Sequence, residues 1–247
     1  MASLLTKSIN VLRFKNVSIL KQLQLEEALF RNTKENWLIF NQKTNEPSIV
    51  LGISGKPEKL INVDKAKELN LKIIRRFSGG GTVVVDNDTY FCTLILEKAS
   101  LPGIEYPTAL MNWTGQFYKT IFDKLNKNAH FGLRENDYVF GNKKCAGNAQ
   151  SFSQTRMLHH TSFLYDFNDE YMKALKNPEK QPEYRSKRNH NEFLVPLKDY
   201  NIQPSDLFQS IEEEISKQFK LNSTIDLQSV SDSMQMEHRK NTKVVDI

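Results

Sequence analysis

Arg75-Arg76-Phe77-Ser78-Gly79-Gly80-Gly81-Thr82-Val83-Val84-Val85-Asp86 sets three consecutive glycines between two arginines and a run of β-branched residues. Only 10 of the 247 residues are glycine, so three together mark a backbone with a particular task. A residue without Cβ reaches φ > 0 and lets its backbone press against a ligand. The arginines add fixed positive charge and forked donors. The stretch reads as a backbone cradle for an anionic or nucleotide-like ligand, built into a hairpin. A plain Gly-Gly turn joining strands at 72–77 and 82–85 is the alternative. A P-loop is excluded, because Gly-x-x-x-x-Gly-Lys-Ser/Thr does not occur. Gly-x-Gly-x-x-Gly is also absent and a strand follows the glycines, which argues against the ordinary dinucleotide fold.

Working outward, residues 11–17 predict a first strand. Ser18 then caps a helix reaching about residue 31, with Leu25, Ala28 and Leu29 at helical spacing. Short strands are expected at 37–41 and 48–52, and a short helix at 63–69. Segment 90–96 alternates as a strand through Phe91, Thr93 and Ile95. The clearest helix is 108–125, where Leu110, Trp113, Phe117, Ile121 and Leu125 form one apolar stripe. Gly141-Asn142 joins strands at 138–140 and 143–145. Further on, the pattern gives a strand at 162–165, a short helix at 169–175, a polar loop at 178–190 and a helix at 205–219 capped by Ser205. Residues 222–247 are polar and weakly periodic and read as a flexible tail. Strand hairpins with helices packed beside them indicate an α+β fold around a mixed, mainly antiparallel sheet.

Composition narrows the classes. A hydrophobic content of 39% in 247 residues supports one large domain, 1–221, plus the tail. The net charge of +5 comes from 34 basic and 29 acidic residues mixed along the chain, with no zinc spacing, RNA-binding aromatic motif or Lys/Arg block. Nucleic acid is therefore not an expected partner. No apolar run reaches about 18 residues, so no membrane span is expected. The two cysteines, Cys92 and Cys145, do not suggest a secreted scaffold. The first 25 residues carry Lys7, Arg13, Lys15 and Lys21 and no acid, like a weak mitochondrial presequence. Cytoplasm and mitochondrion both stay open.

A second cluster surrounds the Gly141-Asn142 turn. Lys144 on a strand can point a compact ammonium into a pocket and neutralise a phosphate or carboxylate; a solvated surface lysine is the alternative. Asp137 is a candidate Mg²⁺ ligand, or a turn cap. His159 and His160 are adjacent on a strand, so they face opposite ways and cannot chelate one metal together. Both read as structural or supporting groups.

In order, Leu25-Glu26-Glu27, Ile49-Val50-Leu51-Gly52, Arg75 to Gly81, Asn136-Asp137, Lys144-Cys145-Ala146-Gly147-Asn148-Ala149 and His159-His160 resemble the lipoate-protein ligase branch of the biotin/lipoate A/B ligase family. Their shared order and spacing carry the resemblance, which also places an extended segment at Tyr184-Arg185-Ser186. It implies the family's class II synthetase-like catalytic fold. It implies a two-step reaction: ATP and lipoate give lipoyl-adenylate, and the lipoyl group then passes to a lysine of an apo lipoyl domain. Those domains belong to 2-oxoacid dehydrogenase E2 components and the glycine-cleavage H protein. Carried over by residue, Arg76, Gly79, Gly80, Gly81, Thr82, Val83 and Val84 hold the nucleotide. Lys144 touches both the lipoate carboxylate and the α-phosphate, and Asp137 binds Mg²⁺. Adenylate chemistry relies on positioning and charge stabilisation more than on a protein nucleophile.

The sequence departs from the family in two places. Val85-Asp86 stands where His-Asp is frequent, and Asp88-Thr89 where Gly-Asn is usual. Both lie toward the acyl end of the implied site. Segment 222–247 is also too short for the accessory domain of the bacterial two-domain ligases. That implies either a separate accessory subunit for adenylation or transfer of a pre-formed acyl-adenylate. Octanoyl transfer from acyl carrier protein would need a cysteine nucleophile beyond the site lysine, and none follows Cys145. Biotin ligation would bring a Gly-Arg-Gly-Arg-type loop, which is absent. A non-catalytic nucleotide- or acyl-binding module need not keep Lys144.

Overall fold

The structure, a computed structural model, describes residues 7–177, 181–222 and 230–246. In chain order the elements are β1 (Ser8–Lys15), α1 (Ile19–Asn32), β2 (Asn36–Gln42), β3 (Ser48–Leu51), α2 (Pro57–Leu60), α3 (Val63–Glu68), β4 (Lys72–Arg75), β5 (Val83–Val85) and β6 (Thr89–Glu97). Then come α4 (Pro107–Leu125), β7 (Phe131–Arg134), β8 (Asp137–Phe140), β9 (Lys143–Phe152), β10 (Arg156–Leu164), α5 (Asp169–Met172), α6 (His190–Phe193) and α7 (Pro204–Ile215). The last are β11 (Lys220–Leu221), α8 (Ser231–Gln235) and β12 (Lys243–Val244).

The strands form two sheets. The larger runs β11-β1-β2-β6-β10-β9-β8-β7 and the smaller β12-β4-β3-β5. Most pairings are antiparallel; β1–β2, β1–β11 and β3–β4 are parallel. The α+β reading therefore holds. Alternation along the strands sorts the cores. Leu38 and Phe40 of β2 face a core closed by Phe117, Ile121 and Phe122 of α4 and Phe208 and Ile211 of α7. Trp37 and Ile39 point the other way, onto Leu25, Leu29 and Phe30 of α1. One turn earlier, Ile19 and Leu23 of α1 meet Val50, Ile74 and Val85 of the small sheet. Helix α1 is thus sandwiched between the two sheets, which is why it buries charged residues as well as apolar ones.

Four departures from the sequence reading have physical reasons. The glycines do not close a hairpin: β4 and β5 lie on either side of β3, so the loop passes over the end of β3. Strand β9 runs ten residues where only its first three read as strand, because small residues (Ala146, Gly147, Ala149) hide the alternation. Helix α7 starts with Pro204 at its first turn after Gln203, two residues earlier than a Ser205 cap requires. The flexible-tail expectation falls partly on residues outside the described ones (223–229 and 247). Its described part is packed, with Val230 and Thr242 buried and β12 paired to β4.

Candidate active site

The glycine loop is fixed from below by Arg76. This arginine is buried, and its guanidinium donates to the carbonyls of Gly79 (3.0 Å) and Gly81 (2.8 Å). A longer bond reaches Val50 O at 3.4 Å. Burial lowers its pKa to about 10, offset by the nearby negative charge of Glu26, so it stays a cation at neutral pH. Sequence reading gave Arg76 a direct hold on the nucleotide. The structure instead directs its donors into the loop, and Arg76 positions the backbone that would do the holding. Arg75 does the same for the neighbouring turn, donating to Ile53 O at 3.1 Å and Gly55 O at 2.6 Å.

The glycines are required at two close approaches. Gly80 has φ +111°, and a Cβ there would lie 2.6 Å from the Arg76 guanidinium and 2.9 Å from Asn148 O. A Cβ on Gly52 would meet Gly80 O at 2.2 Å. Gly81, by contrast, faces open space. The loop is tied to β9 by Gly79 N–H donating to Gln150 O at 3.0 Å.

Across the cleft, β8 and β9 present the second cluster. The β8–β9 pairing carries a register shift at Tyr138/Val139, next to Asp137 and Lys144. Lys144 Nζ lies 2.6 Å from Asp137 Oδ1, and Tyr184 Oη donates to Asp137 Oδ2 at 2.9 Å. Burial and the Asp137 charge together push the Tyr184 phenol well above its ordinary range, so it remains a donor. Burial and the cations Arg185 and Lys144 lower His190 to about 4, keeping its imidazole neutral at pH 7.

The two clusters face one cleft of about 860 Å³, walled by Gly80, Gly81 and Thr82 on one side and by Asp137, Lys144 and Arg185 on the other. A smaller cavity of about 80 Å³ opens from it between Val84, Leu164, Met172 and Phe193, with Lys144 and Thr82 at its mouth. The Thr82 hydroxyl is buried and has no hydrogen-bond partner among the described residues. A third void, about 20 Å³, lies behind the loop between Val50, Val85, Phe91, Arg76 and His160. It has room for about one water. Next to His160, Glu26 accepts from Gln22 (2.8 Å) and Thr93 (2.8 Å) and meets His160 Nδ1 at 3.0 Å.

The structure therefore brings Gly80, Gly81, Thr82, Lys144 and Asp137 together at one cleft. Val83 and Val84 line the small cavity, while Gly79 and Arg76 support from behind. Asp137, the candidate Mg²⁺ ligand, lies at the cleft with its oxygens paired to Lys144 and Tyr184. The histidines do face opposite ways. His159 bonds Tyr138 Oη (2.9 Å) and Gln150 (3.1 Å) in the core, whereas His160 joins Glu26. Cys145 points away from Lys144 into the core, and burial pushes its thiol far up; Cys92 rises to about 12 for the same reason. Sequence reading missed His190, which carries no local signal. It also missed the role of Glu26, a carboxylate on the apolar face of α1 that the Leu25/Ala28/Leu29 spacing exposes.

Comparison with known proteins finds relatives of the chain in sequence and in fold. The chain is 34% identical over 251 aligned residues to "inactive lipoate–protein ligase 2" of Plasmodium falciparum, covering 78% of this chain and 65% of that protein. It spans between 39% and 65% of the length of the first curated relatives it matches. Among solved structures, the bipartite lipoate protein ligase of Thermoplasma acidophilum, studied with its E2 lipoyl domain, superposes with a TM-score of 0.75 at 16% identity. That alignment covers 92% of this chain and 90% of the other. A lipoate-protein ligase A bound with ATP gives a TM-score of 0.73 at 16% identity, covering 92% of both chains. At such identities these two superpositions establish the fold. Residues 18–220 match the model of the lipoyl protein ligase A/B catalytic domain, and the chain belongs to that family.

Proposed function

We propose that this chain is a lipoate–protein ligase: it forms lipoyl-adenylate from lipoate and ATP and passes the lipoyl group to a lysine of a lipoyl domain. The observation that carries the reading is Lys144 facing the glycine loop across one cleft, at the mouth of the small cavity. The nucleotide lies along Gly80–Val84, with its base in the apolar cavity between Val84 and Phe193. The acyl chain runs toward the void at Val85 and His160, which must widen to receive it. Lys144 sits at the joint between them, where phosphate and carboxylate meet. Its ammonium offsets negative charge there in both half-reactions, from a site that burial keeps low in dielectric.

In transfer, the acceptor amine attacks the acyl carbonyl carbon, the bond to the phosphate oxygen breaks, and AMP leaves with the electron pair. The amine's proton is lost to solvent or phosphate. No protein nucleophile is needed, in keeping with two buried, protonated cysteines. Any Mg²⁺ enters with the phosphates of ATP. The ATP-bound and E2-associated relatives support the choice of nucleotide and of acceptor.

A second reading is favoured by one observation, the relative named as inactive. In it the chain only transfers the lipoyl group from adenylate made elsewhere, with a separate subunit or partner enzyme performing activation. The two readings separate in one experiment. The chain is incubated with an apo lipoyl domain and either ATP, Mg²⁺ and lipoate or pre-formed lipoyl-AMP. Modification with both donors supports the ligase; modification with lipoyl-AMP alone supports transfer only. Modification with neither sinks both.

A further inference from the structure

The segment Asn241–Val245 crosses the molecule to reach the glycine loop. The buried carboxylate of Glu27, in the middle of α1, accepts the backbone N–H of Asn241 (3.0 Å) and of Thr242 (2.9 Å). It also receives Arg31 Nε at 3.1 Å, and Arg31 lies over the Phe77 ring at 5.8 Å. Beyond that anchor, Lys243 and Val244 pair antiparallel with Arg75 and Ile74 of β4, and Val245 N–H donates to Ile73 O at 2.9 Å. The Thr242 hydroxyl, itself buried, accepts the N–H of Phe77 at 3.3 Å. Phe77 directly follows Arg76, the residue that holds the carbonyls of Gly79 and Gly81.

A chain of contacts thus runs from Glu27 through residues 241–245 to the root of the loop. Without it β4 would be an edge strand with unpaired backbone groups just before the glycines. Phe77 N–H would also be buried without a partner, a costly state that loop movement relieves. Glycine-rich backbone has little stiffness of its own, so its shape is set by what holds its ends.

From this we infer that residues 241–245 form a strap that holds the glycine loop in its ligand-binding shape, with Thr242 as a positioning residue acting through Phe77. The consequence for ligand affinity rests on the adenylate reading given above; the mechanical claim does not. Thr242→Val keeps shape and backbone bonds and removes only the hydroxyl, and Thr242→Ser restores the acceptor. The test measures amide hydrogen exchange across residues 73–82 and titrates lipoyl-AMP, for both variants and the parent chain. For Thr242→Val, exchange at Phe77–Gly79 is expected to rise at least tenfold and lipoyl-AMP affinity to fall at least fivefold. Thr242→Ser should stay within about twofold of the parent on both. Unchanged exchange in Thr242→Val overturns the strap. Raised exchange with undiminished affinity overturns its link to the ligand. A parent chain that binds no lipoyl-AMP refutes the adenylate reading, while the exchange result still decides the strap.

Discussion

Lys144 and Cys145 are neighbours in sequence with opposite environments, and strand alternation alone separates them. The lysine reaches the cleft and pairs with Asp137; the cysteine is sealed in the core. Lys144→Ala is expected to lower single-turnover transfer from lipoyl-AMP by about 10²–10³-fold, the scale on which a preorganised charge at a developing anion acts. The fold should survive, because Asp137 keeps its bond from Tyr184. Unchanged transfer would remove Lys144 from the site. Cys145→Ser should keep activity within a few fold; an acyl-thioester on Cys145 seen by mass spectrometry would instead establish a thiol mechanism. His159 supplies a stability test. Burial, with the neighbouring charge of His160, holds its folded pKa at about 3 against 6.5 unfolded, so the unfolded chain binds the extra proton between those values. Stability must then fall as pH drops below about 6.5, with a slope from this group approaching about 1.4 kcal/mol per pH unit. Urea titrations of His159→Gln from pH 4 to 7 should show that much less slope than the parent.

At the level of elements, the glycine loop separates folding from binding by position. In Gly80→Ala the new Cβ collides with Arg76 and with the Asn148 carbonyl, at a φ that alanine resists. A stability loss of about 1–3 kcal/mol follows, along with loss of lipoyl-AMP binding. Gly81→Ala meets nothing within 4 Å, so its thermal midpoint should stay within about a degree while the added methyl intrudes on the ligand's space. Calorimetric binding of lipoyl-AMP checks both, and equal stability loss in the two variants would contradict this division. What the sequence disclosed here follows from local physics. The α4 stripe, the Ser18 cap of α1 and the Gly141 turn were all legible because each is decided within a few residues. The placing of β3 between β4 and β5 was not, because it is a long-range pairing with no mark in either strand. Arg76 was legible as a site residue and misleading as to role, since sequence cannot say whether a guanidinium turns to ligand or to its own backbone. The packing of residues 241–245 escaped for a related reason: it is made by backbone N–H groups and one carboxylate 215 positions away, and a polar composition conceals such bonds.

Taken as a whole, the molecule is two sheets with α1 between them, and the cleft lies where loops of the small sheet meet strands β8 and β9 of the large one. A ligand bridging them binds only the folded chain. Lipoyl-AMP at 100 times its Kd should therefore add about 2.7 kcal/mol to stability, a rise in thermal midpoint of roughly 5–10 °C for a chain of this size. Lipoate and AMP added separately, each at that same concentration, should together give less than the joined molecule. An equal shift would place the two halves at independent sites. The strand order of the small sheet also sets a timetable for synthesis. Its members are drawn from residues 48–51, 72–75, 83–85 and 243–244, so the sheet cannot close until residues 243–244 have left the ribosome. The nascent chain carries the glycines, the arginines and the lysine long before it carries the last strand. During that interval the exposed edge of β4 is open to pairing with any extended segment nearby, which makes residues 72–77 the place where a stalled or shortened product would be drawn toward aggregation.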